Sequence, residues 1–224
     1  MKPDQAAENL QVIRTLMERS AVYRRALAPI MLYAGVVGIV AAAAGVCLGV
    51  ETGPGFIGHW LTVAVVGVIG AFLLVRRQAL KNAESFWSPP TRRVAQALTP
   101  SLATGLLIGV WALVLISGPS HGESPTGTAG DAGELIWLPG GWAIFYGIAL
   151  HAAGFFALRG LRLFGWGFIA IGNAILLGLL LASRNGFQEV DWRYSHCLMG
   201  FQFGLLHLAY GIYLHFTEKR GTES

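Results

Sequence analysis

Six stretches of this chain, Ala26 to Val50, Phe56 to Val75, Leu98 to Gly118, Pro139 to Leu158, Leu163 to Ser183 and Ser195 to Phe216, contain no Asp, Glu, Lys or Arg. Each matches the ~20 residues that a helix needs to cross a ~30 Å hydrocarbon layer. Inside such a layer the backbone must satisfy its own hydrogen bonds, which leaves helices and closed barrels. Long unbroken apolar runs favour helices over the short alternating segments of a barrel. The sequence therefore predicts an all-α polytopic membrane protein with six transmembrane helices (26–216), an N-terminal amphipathic helix (1–25) and a short cytoplasmic tail (217–224). Composition agrees, since 54% of residues are hydrophobic and only 12% are charged, outside the range of soluble domains.

Orientation follows from the cations. With the N-terminus in the cytoplasm, only Arg184 and Arg193 of the 16 Lys and Arg fall outside; the other 14 lie inside. That bias predicts both termini in the cytoplasm. It also accounts for the basic pI of 9.3, so the positive charge is not a nucleic-acid signal. The first apolar run starts only at Ala26, after a charged segment, and reads as a span rather than a cleaved signal peptide. Heavy use of Gly and Ala without organelle signals points to a bacterial inner membrane.

In chain order, Asp4 can cap a helix to about Arg24 with Leu10, Ile13, Met17 and Ala21 on one face. It reads as a helix on the inner surface of the bilayer, or as a docking helix for a cytoplasmic or membrane partner. Ala41, Gly45 and Gly49 have the four-residue spacing that lets helices approach. Residues 51–55 form a short outer turn. Trp87 reads as an interfacial anchor, and Thr99 with Pro100 as the cap and first position of the third helix. The loop from Pro119 to Leu138 is flexible in composition at first and apolar at its end. Asn173 is expected to bond to a neighbouring helix. Cys47 and Cys197 fall near the outer surface and are expected to be unpaired and buried.

The last span carries the most patterned face. His196, Gly200, Gly204, His207, Gly211 and His215 all fall within roughly a 100° arc at ~100° per residue. Leu214 is the one large apolar residue inside that arc. His59, Gly67 and Gly70 make a looser stripe on the second span, and Gly140, Ala143, Gly147, His151 and Gly154 a third on the fourth. These three spans run in parallel. His151 and His207 each lie 12 residues past the start of their span, so both are ~18 Å deep. His59 and His196 form a second tier near the outer surface.

Intramembrane ionisable groups are costly and suggest function. A neutral imidazole bonded to a carbonyl, beside glycines that serve only packing, is the competing reading. The leading function is a non-enzymatic scaffold, sensor or accessory subunit. A b-type cytochrome is the alternative, because paired imidazoles can ligate haem and glycines let a porphyrin lie against the backbone. Helix contact at ~8–10 Å leaves no room for a macrocycle, so one stripe cannot do both. A small-molecule transporter is a third reading, disfavoured by the lack of carboxylates within the spans. A rhomboid-type protease lacks its nucleophile, since Pro139 to Leu158 contains no serine. Zinc is disfavoured because no carboxylate or clustered Cys joins the histidines.

The runs Ile13 to Ser20 and Phe203 to Gly211, with the Ser88-Pro89-Pro90 corner and the segment Trp142 to Gly147, resemble a group of uncharacterised bacterial multi-pass membrane proteins. The resemblance implies the same six-span architecture and carries no established activity.

Overall fold

The computed structural model describes residues 27–81, 86–116, 137–185 and 191–220. The expected helix over 1–25, most of the loop from Pro119 to Leu138 and the last four residues lie outside them.

The described residues form six helices: α1 (Leu27–Cys47), α2 (Gly53–Lys81), α3 (Pro89–Ile116), α4 (Leu138–Ala153), α5 (Arg159–Arg184) and α6. The last runs as Trp192–Met199, a π-helical segment Gly200–Leu205, and Leu206–Arg220. Five of the six, all but α4, are long and apolar enough to cross a membrane. Many large apolar side chains point outward, among them Val68, Val114, Leu163 and Phe216 at more than 60% exposure. In water that surface would aggregate; in lipid it is the solvated face.

Local chemistry sets the helix ends. Gly49 adopts φ +61, Val50 N–H bonds to Gly45 O at 3.0 Å and Gly49 N–H to Val46 O at 3.2 Å. These two bonds close α1 in a Schellman motif. Gly49 is thus a turn residue with open space around it, and the expected three-residue packing run reduces to Ala41 and Gly45. The Thr52 hydroxyl accepts from Gly55 N–H and caps α2. Asp191 accepts from Arg193 N–H at 2.9 Å and caps α6, three residues earlier than the expected span.

Two expectations about helix boundaries are corrected. Thr99 does not cap a helix: α3 is continuous through Pro100. The Thr99 hydroxyl turns back to Ala95 O at 2.7 Å and Thr104 to Pro100 O at 2.8 Å. Pro100 removes one backbone donor, which a membrane helix tolerates where hydroxyls supply local bonds. The fourth helix stops at Ala153 rather than Leu158, leaving 16 residues, or ~24 Å of rise. It stops because the chain must reverse between Gly154 and Leu158, and Gly154 lies against the backbone of Arg162.

The helices α4 and α5 pack antiparallel on glycines. A Cβ at Gly140 would lie 3.1 Å from Gly172 O, one at Gly147 2.6 Å from Gly165 O, and one at Gly154 2.7 Å from Arg162 N. Gly140, Gly147 and Gly154 recur every seven residues, as do Gly165 and Gly172, so each pair sits at successive crossings of one seam. The α6 glycines meet α1 in the same way. Gly200 faces Ala42, Gly204 faces Ile39 and Gly38, and Gly211 faces Leu32. Two apolar cores result. One gathers Met31, Leu150, Leu161, Phe168 and Leu214; the other Phe56, Ile57, Trp60, Leu138 and Met199.

Candidate functional site

Side chains with one polar tip tie the helices to each other. Tyr33 on α1 donates to Val66 O on α2 at 3.0 Å. Its ring crosses α2 over Gly70, where any side chain would collide with it. Trp142 Nε1 on α4 donates to Gly105 O on α3 at 3.0 Å, its indole lying over Gly109. Three of the histidines, His59, His196 and His207, belong to the same scheme at two levels.

At the first level, Trp60 Nε1–H on α2 donates to His196 Nδ1 on α6 at 3.2 Å. An indole only donates, so Nδ1 is the acceptor and the proton sits on Nε2. His196 Nε2–H then donates to Val50 O at 3.1 Å in the turn after α1. One buried neutral imidazole therefore joins three parts of the chain. His59 Nε2–H donates to Ala41 O on α1 at 2.9 Å. The His59 and His196 rings stand nearly perpendicular, 5.5 Å apart. The expected His59–His196 neighbourhood is present, with neither Nε2 open.

At the second level, Tyr146 on α4 bonds to His207 on α6, Oη to Nε2, at 2.7 Å. His207 Nδ1 lies 3.3 Å from Gln202 O, an acceptor only, so Nδ1 carries the proton and the Tyr146 hydroxyl is the donor. Phe164, Phe168 and Phe203 close around the imidazole with ring centres at 5.3, 5.4 and 6.2 Å. His207 is 1% exposed.

The π-helical segment explains this geometry. Leu206 N–H reaches back five residues to Phe201 O. A wider turn displaces backbone carbonyls from their usual partners, and Gln202 O lies 3.3 Å from the His207 ring nitrogen. Gln202 lies opposite the histidine and glycine stripe on a uniform helix of ~100° per residue, yet it is fully buried with both amide atoms unpartnered.

His151 and His207 do not share a site. The His151 ring lies against Phe155 at 5.2 Å and Trp166 at 5.3 Å, with Nδ1 buried and unpartnered. His207 meets Tyr146 and the three phenylalanines, so the two imidazoles address different neighbours. His215 is exposed and touches Phe216, while Leu214 takes the buried position at that end. Gly67 faces open space. Asn173 bonds within its own helix, to Ile169 O at 2.8 Å, and among the described residues bonds to no neighbouring helix. Cys47 and Cys197 are free, as expected, but exposed rather than buried. Cys47 is two residues past Gly45, which packs on His196; at ~100° per residue its side chain points away from α6.

Residues absent from the sequence reading complete both levels: Trp60, Tyr146 and Gln202. Gln202 carries a readable signal as the one carboxamide between Ser195 and Phe216. Tyr146 and Trp60 do not, because aromatic residues in a span are ordinarily packing.

These residues do not fit a haem. Both nitrogens of His196 and of His207 are bonded to protein groups. The glycines a porphyrin would need, Gly200, Gly204 and Gly211, are covered by α1. Among the described residues no three His, Cys, Asp or Glu gather as a metal site. The class these features define is a multi-pass helical membrane protein. No protein-family model, curated protein or solved structure matches the chain, and no family is identified.

Proposed function

We propose that the chain is a non-enzymatic scaffold or accessory subunit of a bacterial inner membrane, with six spans and both termini in the cytoplasm. The observation that carries this is that three of the span histidines are spent on holding helices together. His59, His196 and His207 join helices through donors and carbonyls of the protein itself, and the glycine faces admit helices rather than a ligand. Inward cation bias supports the orientation. Arg159 and Arg162 at the start of α5 support a crossing by α4, whose ~24 Å is met by local bilayer thinning.

Two measurements check this. Tagged chain extracted gently from its native membrane is expected to run on a native gel as a stoichiometric assembly; migration as a lone 24.0 kDa chain contradicts the accessory role. For topology, Cys47 is a built-in reporter because it is exposed beside the α1–α2 turn. In a Cys197→Ala background, a membrane-impermeant maleimide applied from the outer side is expected to label it. Labelling that needs permeabilised membranes would reverse the orientation.

A further inference from the structure

We propose that the corner between α2 and α3 binds an anionic phospholipid, cations on its phosphate and aromatic rings beside its upper acyl chain. Arg76, Arg77 and Lys81 end α2, and Arg92 and Arg93 lie in the first turn of α3; all five are exposed. Between Arg76 and Arg93 these five cations stand against one acidic residue, Glu84. Guanidinium groups present paired donors that match phosphate oxygens. The start of α3 adds little to this, because Pro89 and Pro90 carry no N–H and Arg92 N–H is bonded to Ser88 O at 3.0 Å, so the cations rather than the helix end would hold the phosphate.

Cations alone would accept any anion, and the adjoining rings narrow the choice. Phe86 meets Phe72 edge-on at 5.0 Å and stacks on Trp87 at 6.1 Å. Trp87 is 57% exposed. Phe72 precedes Arg76 by four residues, or ~6 Å on the apolar side. The three rings therefore cross the level at which the charges begin, where a phospholipid changes from headgroup to hydrocarbon. Tryptophan favours that level.

At the other basic corner, between α4 and α5, Arg162 is committed within the protein and Arg159 alone of the pair is exposed. The Arg162 guanidinium lies over the Phe155 ring at 4.9 Å and its stem lies against Gly154. The lipid site requires only that the chain crosses a bilayer, and it holds whichever side the corner faces.

The test uses the full chain in a mild non-ionic detergent, titrated with phosphatidylglycerol, phosphatidylcholine or inorganic phosphate and read by native mass spectrometry. Saturable phosphatidylglycerol binding is expected, with phosphatidylcholine bound more weakly and inorganic phosphate unable to displace it at equal concentration. Each surface cation contributes roughly five-fold toward an anionic surface, so Arg76→Gln, Arg77→Gln, Arg92→Gln and Arg93→Gln together are expected to weaken binding at least ~10-fold. Arg159→Gln with Arg162→Gln is expected to change it less than about two-fold, since that pair lies at the other corner. Trp87→Ala leaves the charge intact and is expected to weaken binding several-fold, which keeps the test decisive if the four-fold variant misfolds. Equal retention of both lipids, displacement by inorganic phosphate, or unchanged binding in the four-fold or Trp87 variant would overturn the proposal. So would equal losses at both corners.

Discussion

Gly147→Leu is expected to destabilise the bundle by about 3 kcal/mol or more, at the upper end of overpacking costs. The reason is that the obstacle is backbone. A Cβ at Gly147 would stand 2.6 Å from Gly165 O and 2.8 Å from Ile169 N, and neither can rotate away. The helices would have to separate along a seam that depends on close approach. Gly167→Ala on α5 provides the contrast, because nothing lies within 4 Å of that position. It is expected to be neutral or to gain up to about 1 kcal/mol of helix propensity. Reversible unfolding in mixed micelles measures both. Equal tolerance of Gly147→Leu and Gly167→Ala would remove the α4–α5 seam from the account.

The second large effect lies at Tyr146 and His207. His207→Leu strands the Tyr146 hydroxyl and removes the hydrogen from Gln202 O. Stranding a buried polar group costs about 1–3 kcal/mol, so a loss of about 2–3 kcal/mol is expected. Tyr146→Phe leaves His207 Nε2 without a donor and is expected to cost about 1–2 kcal/mol. The double variant leaves neither partner stranded, so its cost should fall short of the sum by about 1 kcal/mol. Strict additivity would mean that the 2.7 Å contact contributes nothing, and that His207 is held by its phenylalanine surroundings alone.

Of the residues in these two predictions the sequence marks Gly147 and His207 but not Tyr146. Apolar spans and glycine spacing are legible because the bilayer imposes them: uncharged runs must be helices, and recurring small residues must face something close. The partner of each face is harder to read. Gly147 and Gly204 look alike in sequence, but one meets α5 and the other α1, and only tertiary packing decides. Position along a span is legible and direction is not. His151 and His207 each lie 12 residues past the start of their expected spans, while their rings turn toward Trp166 and Tyr146 respectively. The π-helical segment adds a residue to one turn of α6, and a uniform helical projection misplaces Gln202; it also puts His215 on the stripe beside Leu214, where only Leu214 is buried. Pro100 misled for a related reason. Proline reads as a helix start in water, whereas in α3 hydroxyl groups of Thr99 and Thr104 accompany it through the interior of the helix.

Haem ligation and helix joining assign opposite uses to the same imidazoles and glycines, and one spectrum separates them. The full chain, expressed with ample haem supply and purified in mild detergent, is measured as a reduced-minus-oxidised visible difference spectrum. Helix joining gives a flat trace, because His196 and His207 have no nitrogen to offer and α1 lies over Gly204. Soret and α bands at near-stoichiometric intensity, abolished by His207→Leu in a chain that still folds, would contradict it.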